Sequence, residues 1–337
     1  MKTPNLKKFW RKGIDFLGVE HAIIGGAMAW ISESSLVSAI SSNGGFGVLA
    51  SGNMPAEMFA GEIEKTRKKT DRPFGVNLIT LSPNFDELLS VVLDLKAEFI
   101  IFAGGIPPAH AIKQAKSAGS KVICFAPARV LAKKMIKQGA DALIVEGTEA
   151  GGHIGPVSTS VLAQEVLLNV DEIPVFVAGG IGTGEMMAQY LAMGAAGCQL
   201  GTKFVVAEES IAHINFKNKF IKSAARDAQP TAQFDSSLPV VPVRALINKA
   251  TVEFNHLQME LLKAVKSGEI DRKSASLKLE EFWLGSLRKA AIDGDVEYGS
   301  VMAGQSVGMV KQIEPTTDII GDLVSRAEFT LNRLTNS

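Results

Sequence analysis

Apolar runs of four to eight residues recur about every 20 to 30 residues, most of them followed by glycine, serine or proline. They cover Ala22–Gly26, Gly45–Ser51, Pro73–Thr80, Phe99–Gly105, Lys121–Pro127, Ala142–Gly147, Pro174–Gly180 and Cys198–Val205. None alternates strictly between apolar and polar, so each reads as a strand buried on both faces, as in a parallel sheet. Segments of helical period fill the intervals. SLVSAISSN runs into Gly44–Gly45, and AHAIKQAKSAG and ARVLAKKMIKQG each end in the glycine that favours a helix C′ position. TGEMMAQYLAMG does the same and starts at Thr183, whose hydroxyl can cap a helix. Eight strands joined by seven crossovers predict an α/β fold of the (β/α)8 TIM-barrel type, with a doubly wound sheet as the runner-up.

The pattern changes after Val205. Residues from about 208 to 291 are more polar, richer in lysine and mostly of helical period. VRALINKATVEFNHLQMELLKAVKSG predicts one long helix or two, KSASLKLEEFWLGSLRKAAIDG another, and DAQPTAQFDSSLPVVPV a connecting loop. The expected organisation is a barrel over 1–207, a helical substrate lobe inserted at its C-terminal face over 208–298, and a stretch over 299–337 that returns to the active site and ends in a helix. At the other end, Phe9–Leu17 reads as a short amphipathic helix plugging the barrel bottom.

Composition narrows the function. Apolar residues make up 46% and charged residues 21% of the 337, enough for a packed core. Lysine plus arginine equals aspartate plus glutamate at 35 each, so no net field draws the chain to nucleic acid or an anionic membrane. Cys124 and Cys198 lie in apolar runs and read as buried thiols, which suits a reducing cytoplasm. The basic N-terminus is not followed by an apolar stretch of signal-peptide length, and no run reaches the length of a membrane span.

In a barrel the loops after the strands form the active site, and the loops after strands seven and eight often hold a phosphate. VAGGIGTGE and LGTKF occupy those places, so Gly179, Gly180, Gly201 and Thr202 are candidates for a phosphate site. EGTEAGGHIG, at the end of strand six, sets His153 behind Gly151 and Gly152, where its imidazole can exchange a proton near neutrality. His21 and His110 sit at a strand entrance and a helix start, and His213 and His256 fall in the lobe, where capping or solvated roles are expected. Histidines and cysteines do not cluster with metal-ligand spacing, so no metal is expected. P-loop and G-x-G-x-x-G signatures are absent, and no G-x-S-x-G nucleophile elbow is expected.

The markers IIGGAMAWIS, NGGFGVLASG, RPFGVNLITLSP, EGTEAGGHIG, PVFVAGGIGTG, QLGTKFV and GSVMAGQSVG run in order along nearly the whole chain. In these the chain resembles the nitronate monooxygenase (2-nitropropane dioxygenase) superfamily, which includes the FMN-dependent enoyl-acyl-carrier-protein reductases. The resemblance implies an FMN-binding barrel. Ala27 and Met28 would lie near the flavin ring, Asn77 would hydrogen-bond it, and Glu146 and Gly152 would line it. Gly179, Gly180, Gly201 and Thr202 would hold the phosphate, and Met302, Gly304, Gln305 and Ser306 would close over the cofactor. His153 matches the active-site histidine. Two departures stand out. The family commonly has Gln-Gly-Gly-Met after strand one, where this chain has Ile24-Gly25-Gly26-Ala27-Met28. Many nitronate monooxygenases also carry glutamine where Glu146 stands, and the acid resembles the enoyl reductases more closely. The resemblance implies oxidation of a small nitronate or nitroalkane by oxygen, with NAD(P)H-dependent enoyl reduction on acyl carrier protein as the alternative, and it is compatible with a homodimer.

Overall fold

A computed structural model describes residues 3–52, 54–238 and 240–335. Each of the eight apolar runs contributes one strand to a closed parallel barrel. The staves are β1 (Ile23–Gly25), β2 (Phe46–Ala50), β3 (Phe74–Ile79), β4 (Phe99–Ala103), β5 (Lys121–Phe125), β6 (Ala142–Glu146), β8 (Val175–Ala178) and β9 (Gly197–Leu200), with β7 (Gly152–His153) standing outside the ring. The ring closes where Ile24 of β1 lies in register with Gln199 of β9. Almost every stave residue is buried, which explains the missing alternation: the inward face fills the barrel and the outward face packs on helices. Thr183 caps the helix Gly184–Ala192, and Gly139 ends the helix Arg129–Gln138 with a left-handed φ of 104°, as the sequence predicts.

Two short helices, Pro4–Phe9 and Arg11–Leu17, cover the barrel bottom, so the single helix expected over Phe9–Leu17 is broken at Trp10, which caps both. Gly13 is glycine for a steric reason: a Cβ there would stand 2.0 Å from the Ala196 carbonyl oxygen. Phe16 meets Phe99 edge-on at 5.8 Å between ring centres, sealing that end with apolar surface. The Leu6 N–H donates to the Glu328 carboxylate at 2.7 Å, which ties the first helix to the last, Thr316–Thr335.

The structure also departs from the sequence-based expectation at the last barrel run and in the lobe. The run Cys198–Val205 is not all strand. It leaves the sheet at Leu200, where its ladder with β1 ends, and Thr202–Val205 forms one helical turn after Gly201. The lobe is also not purely helical. Val243–Leu246, which the pattern merges with the following helix, is a strand (β11) between β10 (Ala228–Pro230) and β7 in a small antiparallel sheet. The buried Arg244 guanidinium donates to the Thr148 and Ala228 carbonyls at 2.8 and 2.6 Å, which pins the strand. The helix itself starts only at Lys249, where the Asn248 side chain accepts from the Thr251 N–H.

A second, smaller core joins Leu238, Val243, Phe254, Leu261, Leu279 and Trp283. Phe254 and Trp283 stack with centres 4.1 Å apart, locking the helices Lys249–Ser267 and Arg272–Ala291 together. Met302 touches both this core and the barrel's. Among the described residues no helix is long and apolar enough to cross a membrane.

Candidate active site

The loop that leaves β6 carries the densest set of candidates. Gly151 is pressed against the return segment: a Cβ there would come within 2.6 Å of the Ala303 carbonyl carbon and the Gly304 nitrogen. Gly152 takes a left-handed φ of 76°, with the Met302 sulphur 3.7 Å from where a Cβ would stand. That conformation turns the chain so that His153 enters β7 and pairs with Val243 of β11. The ring is about half exposed, and its Nε2 lies 3.0 Å from Oε2 of Glu280, on the lobe helix Arg272–Ala291. His153 is therefore held by its backbone and by its side chain, both times by the lobe.

Glu149 organises the floor beside it. One carboxylate oxygen accepts from both the N–H and the hydroxyl of Thr159, at 2.8 and 2.7 Å. Its carbonyl accepts from the Gln305 N–H at 2.9 Å. Gly179 and Gly180 both adopt left-handed φ, 95° and 71°, so the loop after β8 turns tightly and presents bare backbone. A Cβ on Gly180 would meet that of Glu149 at 3.0 Å. Across the mouth the Thr202 hydroxyl accepts from the Gly304 N–H at 3.0 Å and keeps its own proton to donate. Gly201 faces the Met28 sulphur, 3.4 Å from the Cβ it lacks, and Gly182 packs against the Cβ of Ser306.

The structure thus gathers Met28, Gly152, Gly180, Gly201, Thr202, Met302, Gly304, Gln305 and Ser306 into one connected set around the barrel mouth, with Ala27 next to Met28 and Gly179 next to Gly180. Asn77 stands on β3, on another wall, buried and donating to the Ile101 carbonyl at 3.2 Å. Glu146 closes β6 in register with Ala178. The four remaining histidines lie elsewhere: His213 caps the helix Ile214–Ile221, and His21 packs on Trp10 at the barrel bottom, its pKa lowered mainly by burial.

Sequence reasoning missed Glu280, which is 127 residues from His153, and Arg244, whose strand was merged into a helix. It also passed over Ser51 and Thr80, just beyond β2 and β3, whose hydroxyl oxygens are buried without a protein partner. Gln199, largely buried on β9, lies with its amide nitrogen 3.4 Å from where a Gly26 Cβ would stand. Only QLGTKFV pointed toward that residue.

Burial pushes the Glu146 carboxyl from its ordinary value of 4.5 up to about 8. The sign follows. Between those values the unfolded chain has lost this proton and the folded chain keeps it, so Glu146 costs stability increasingly as pH rises from about 4.5 and reaches its full cost above about 8. Glu146→Gln removes the titration. The melting temperature of the variant relative to the parent should climb across that window and level off above it. A difference independent of pH would assign Glu146 an ordinary pKa.

The family model for nitronate monooxygenase matches residues 11–88 and 79–326 of this chain. A solved structure of FabK from Thermotoga maritima superimposes with a TM-score of 0.86 at 38% identity, covering 96% of this chain and 97% of that one. A nitroalkane oxidase from Streptomyces ansochromogenes gives 0.77 at 26% identity, covering 94% and 98%. A Rhodococcus jostii protein named as a hydroxy-methyl-oxo-octahydroindene-carboxyl-CoA dehydrogenase is 30% identical, over 93% of this chain and 94% of its own length.

Proposed function

The chain belongs to the nitronate monooxygenase family of oxidoreductases, and from that premise we propose that it is an FMN-dependent reductase of enoyl thioesters that draws its electrons from NADH or NADPH. The barrel mouth fits FMN. Gly179 and Gly180 leave a bare-backbone turn for the phosphate, and the unpartnered Ser51 and Thr80 hydroxyls offer polar contacts at the ends of β2 and β3. When bound, FMN supplies two-electron redox chemistry between the nicotinamide and the substrate.

The chain's own groups orient and protonate. His153, its Nε2 engaged by Glu280, presents its other ring nitrogen to the thioester carbonyl, where negative charge develops as the double bond is reduced. Met302 and the Gly304–Ser306 turn would cover the bound cofactor, and the lobe over 208–298 would shield the substrate from water. The observation that carries the reading is the 3.0 Å contact between Glu280 and His153, which holds the imidazole as a positioned proton donor for the charge that develops on the thioester carbonyl. The likeness to FabK, at 38% against 26% for the nitroalkane oxidase, points the same way.

Oxidation of a nitroalkane is the second reading. It is favoured by the family model and the nitroalkane oxidase likeness, with His153 taking the α-proton. Anaerobic stopped-flow separates the two. Fast bleaching of the flavin by NADH or NADPH, followed by recolouring on an enoyl thioester, is the expected result. Parallel arms with coenzyme A and acyl-carrier-protein thioesters identify the carrier. Bleaching by a nitronate or nitroalkane, with none by either nicotinamide, would move the assignment to the oxidase.

A further inference from the structure

We propose that Glu280 is the positioning residue of His153: its carboxylate fixes the Nε2–H, makes Nδ1 the nitrogen that meets the substrate, and so places the proton-transfer group under the control of the lobe. This rests on the reading of His153 as the proton carrier. The 3.0 Å contact is made by two half-exposed side chains on separate elements, one on β7 and one on the helix Arg272–Ala291. A carboxylate accepts only, so with an ionised Glu280 the nitrogen between them carries the hydrogen. In the neutral ring the lone pair is then on Nδ1, and in the protonated ring the second N–H is there.

The helix is anchored well enough to act as a fixed point. Three residues beyond Glu280, Trp283 is buried against Phe254 in the lobe core. Another turn on, the Ser286 carbonyl accepts from the Ser300 N–H at 2.8 Å. Two turns beyond Glu280, the Arg288 guanidinium lies 5.7 Å from the ring centre of Trp30 in the loop after β1. Trp30 itself holds a φ of 65°, a conformation that a bulky side chain rarely adopts. The helix therefore reaches from the loop after β6 to the loop after β1, across the mouth. A lobe seated on both loops sets the imidazole.

The test is a double-mutant cycle on the FMN-loaded enzyme, read together with ring N–H resonances of the cofactor-free protein. Glu280→Leu should lower kcat about 10- to 100-fold, the size expected when a reacting group is misplaced, with FMN affinity and melting temperature close to those of the parent. Glu280→Gln keeps an acceptor oxygen and should restore most of the rate. In a His153→Ala background Glu280→Leu should cost nothing further, because the two act as one unit. The Nε2–H resonance of His153, identified by its loss in His153→Ala, should survive in Glu280→Gln and vanish by solvent exchange in Glu280→Leu. Glu280→Leu with parental kcat, or with an equal loss in both backgrounds, would overturn the proposal. Parental turnover by His153→Ala alone would instead overturn the proton-carrier reading beneath it.

Discussion

His153→Ala lowers kcat/KM for the enoyl thioester by about 10²–10⁴-fold, the range for loss of a positioned general acid or base, while FMN affinity stays at the parental value. The two effects separate because of where the residue sits. Its ring is half exposed and meets Glu280, whereas the loops proposed for the phosphate are held by Glu149, Thr159, Thr202 and Gly304. Removing the imidazole takes away a proton and leaves those contacts in place. Flavin fluorescence titration and thermal melting, run beside the kinetics, check the separation. If FMN affinity, melting temperature and rate all fall together, His153 is a packing residue of the β7–β11 sheet. Under the nitroalkane reading the same variant should lose far more activity on the neutral nitroalkane than on its pre-formed nitronate, since only the former has an α-proton to give up.

Gly180→Asp weakens FMN binding by roughly 30- to 150-fold or more, equivalent to about 2–3 kcal/mol of repulsion between a carboxylate and a phosphate at close range. The structure adds a second source of loss. Gly180 has a left-handed φ of 71°, and its added Cβ would press on that of Glu149 at 3.0 Å. Glu149 is the carboxylate that holds Thr159, so displacing it disturbs the start of the helix Thr159–Leu167 as well. Gly180→Ala carries the steric part without the charge and should cost visibly less. Equal FMN affinity in the parent and in a folded Gly180→Asp variant would place the phosphate elsewhere.

The barrel was legible in the sequence because buried parallel strands leave a local mark: short apolar runs, no alternation, and glycine where each helix must stop. The eight runs became the eight staves, and Thr183 and Gly139 took the capping positions their types suggest. The glycine loops were legible for the same reason, since left-handed turns and backbone contact leave few other residues possible. Contacts made across the fold left no such mark. Glu280 is one of two adjacent acids on the helix Arg272–Ala291, and nothing near it in sequence indicates a histidine on another element. Val243–Leu246 has a composition that continues into the next helix. Its strand conformation depends on β10 and β7 on either side and on carbonyls that Arg244 finds only after folding. Ser51 and Thr80 follow apolar runs like many other serines and threonines, and only their buried, unpartnered oxygens distinguish them.

The bond from the Leu6 N–H to Glu328 spans 322 residues and has a consequence for biosynthesis. At about 5–20 residues per second, the first helix leaves the ribosome on the order of 20–60 s before its partner exists. β1 waits about 10–35 s at the same rate, because the ring closes only through its pairing with β9 at Gln199. The nascent chain therefore exposes the edge of β1 until β9 has been made, and its first helix stays untied for longer, until Glu328 follows.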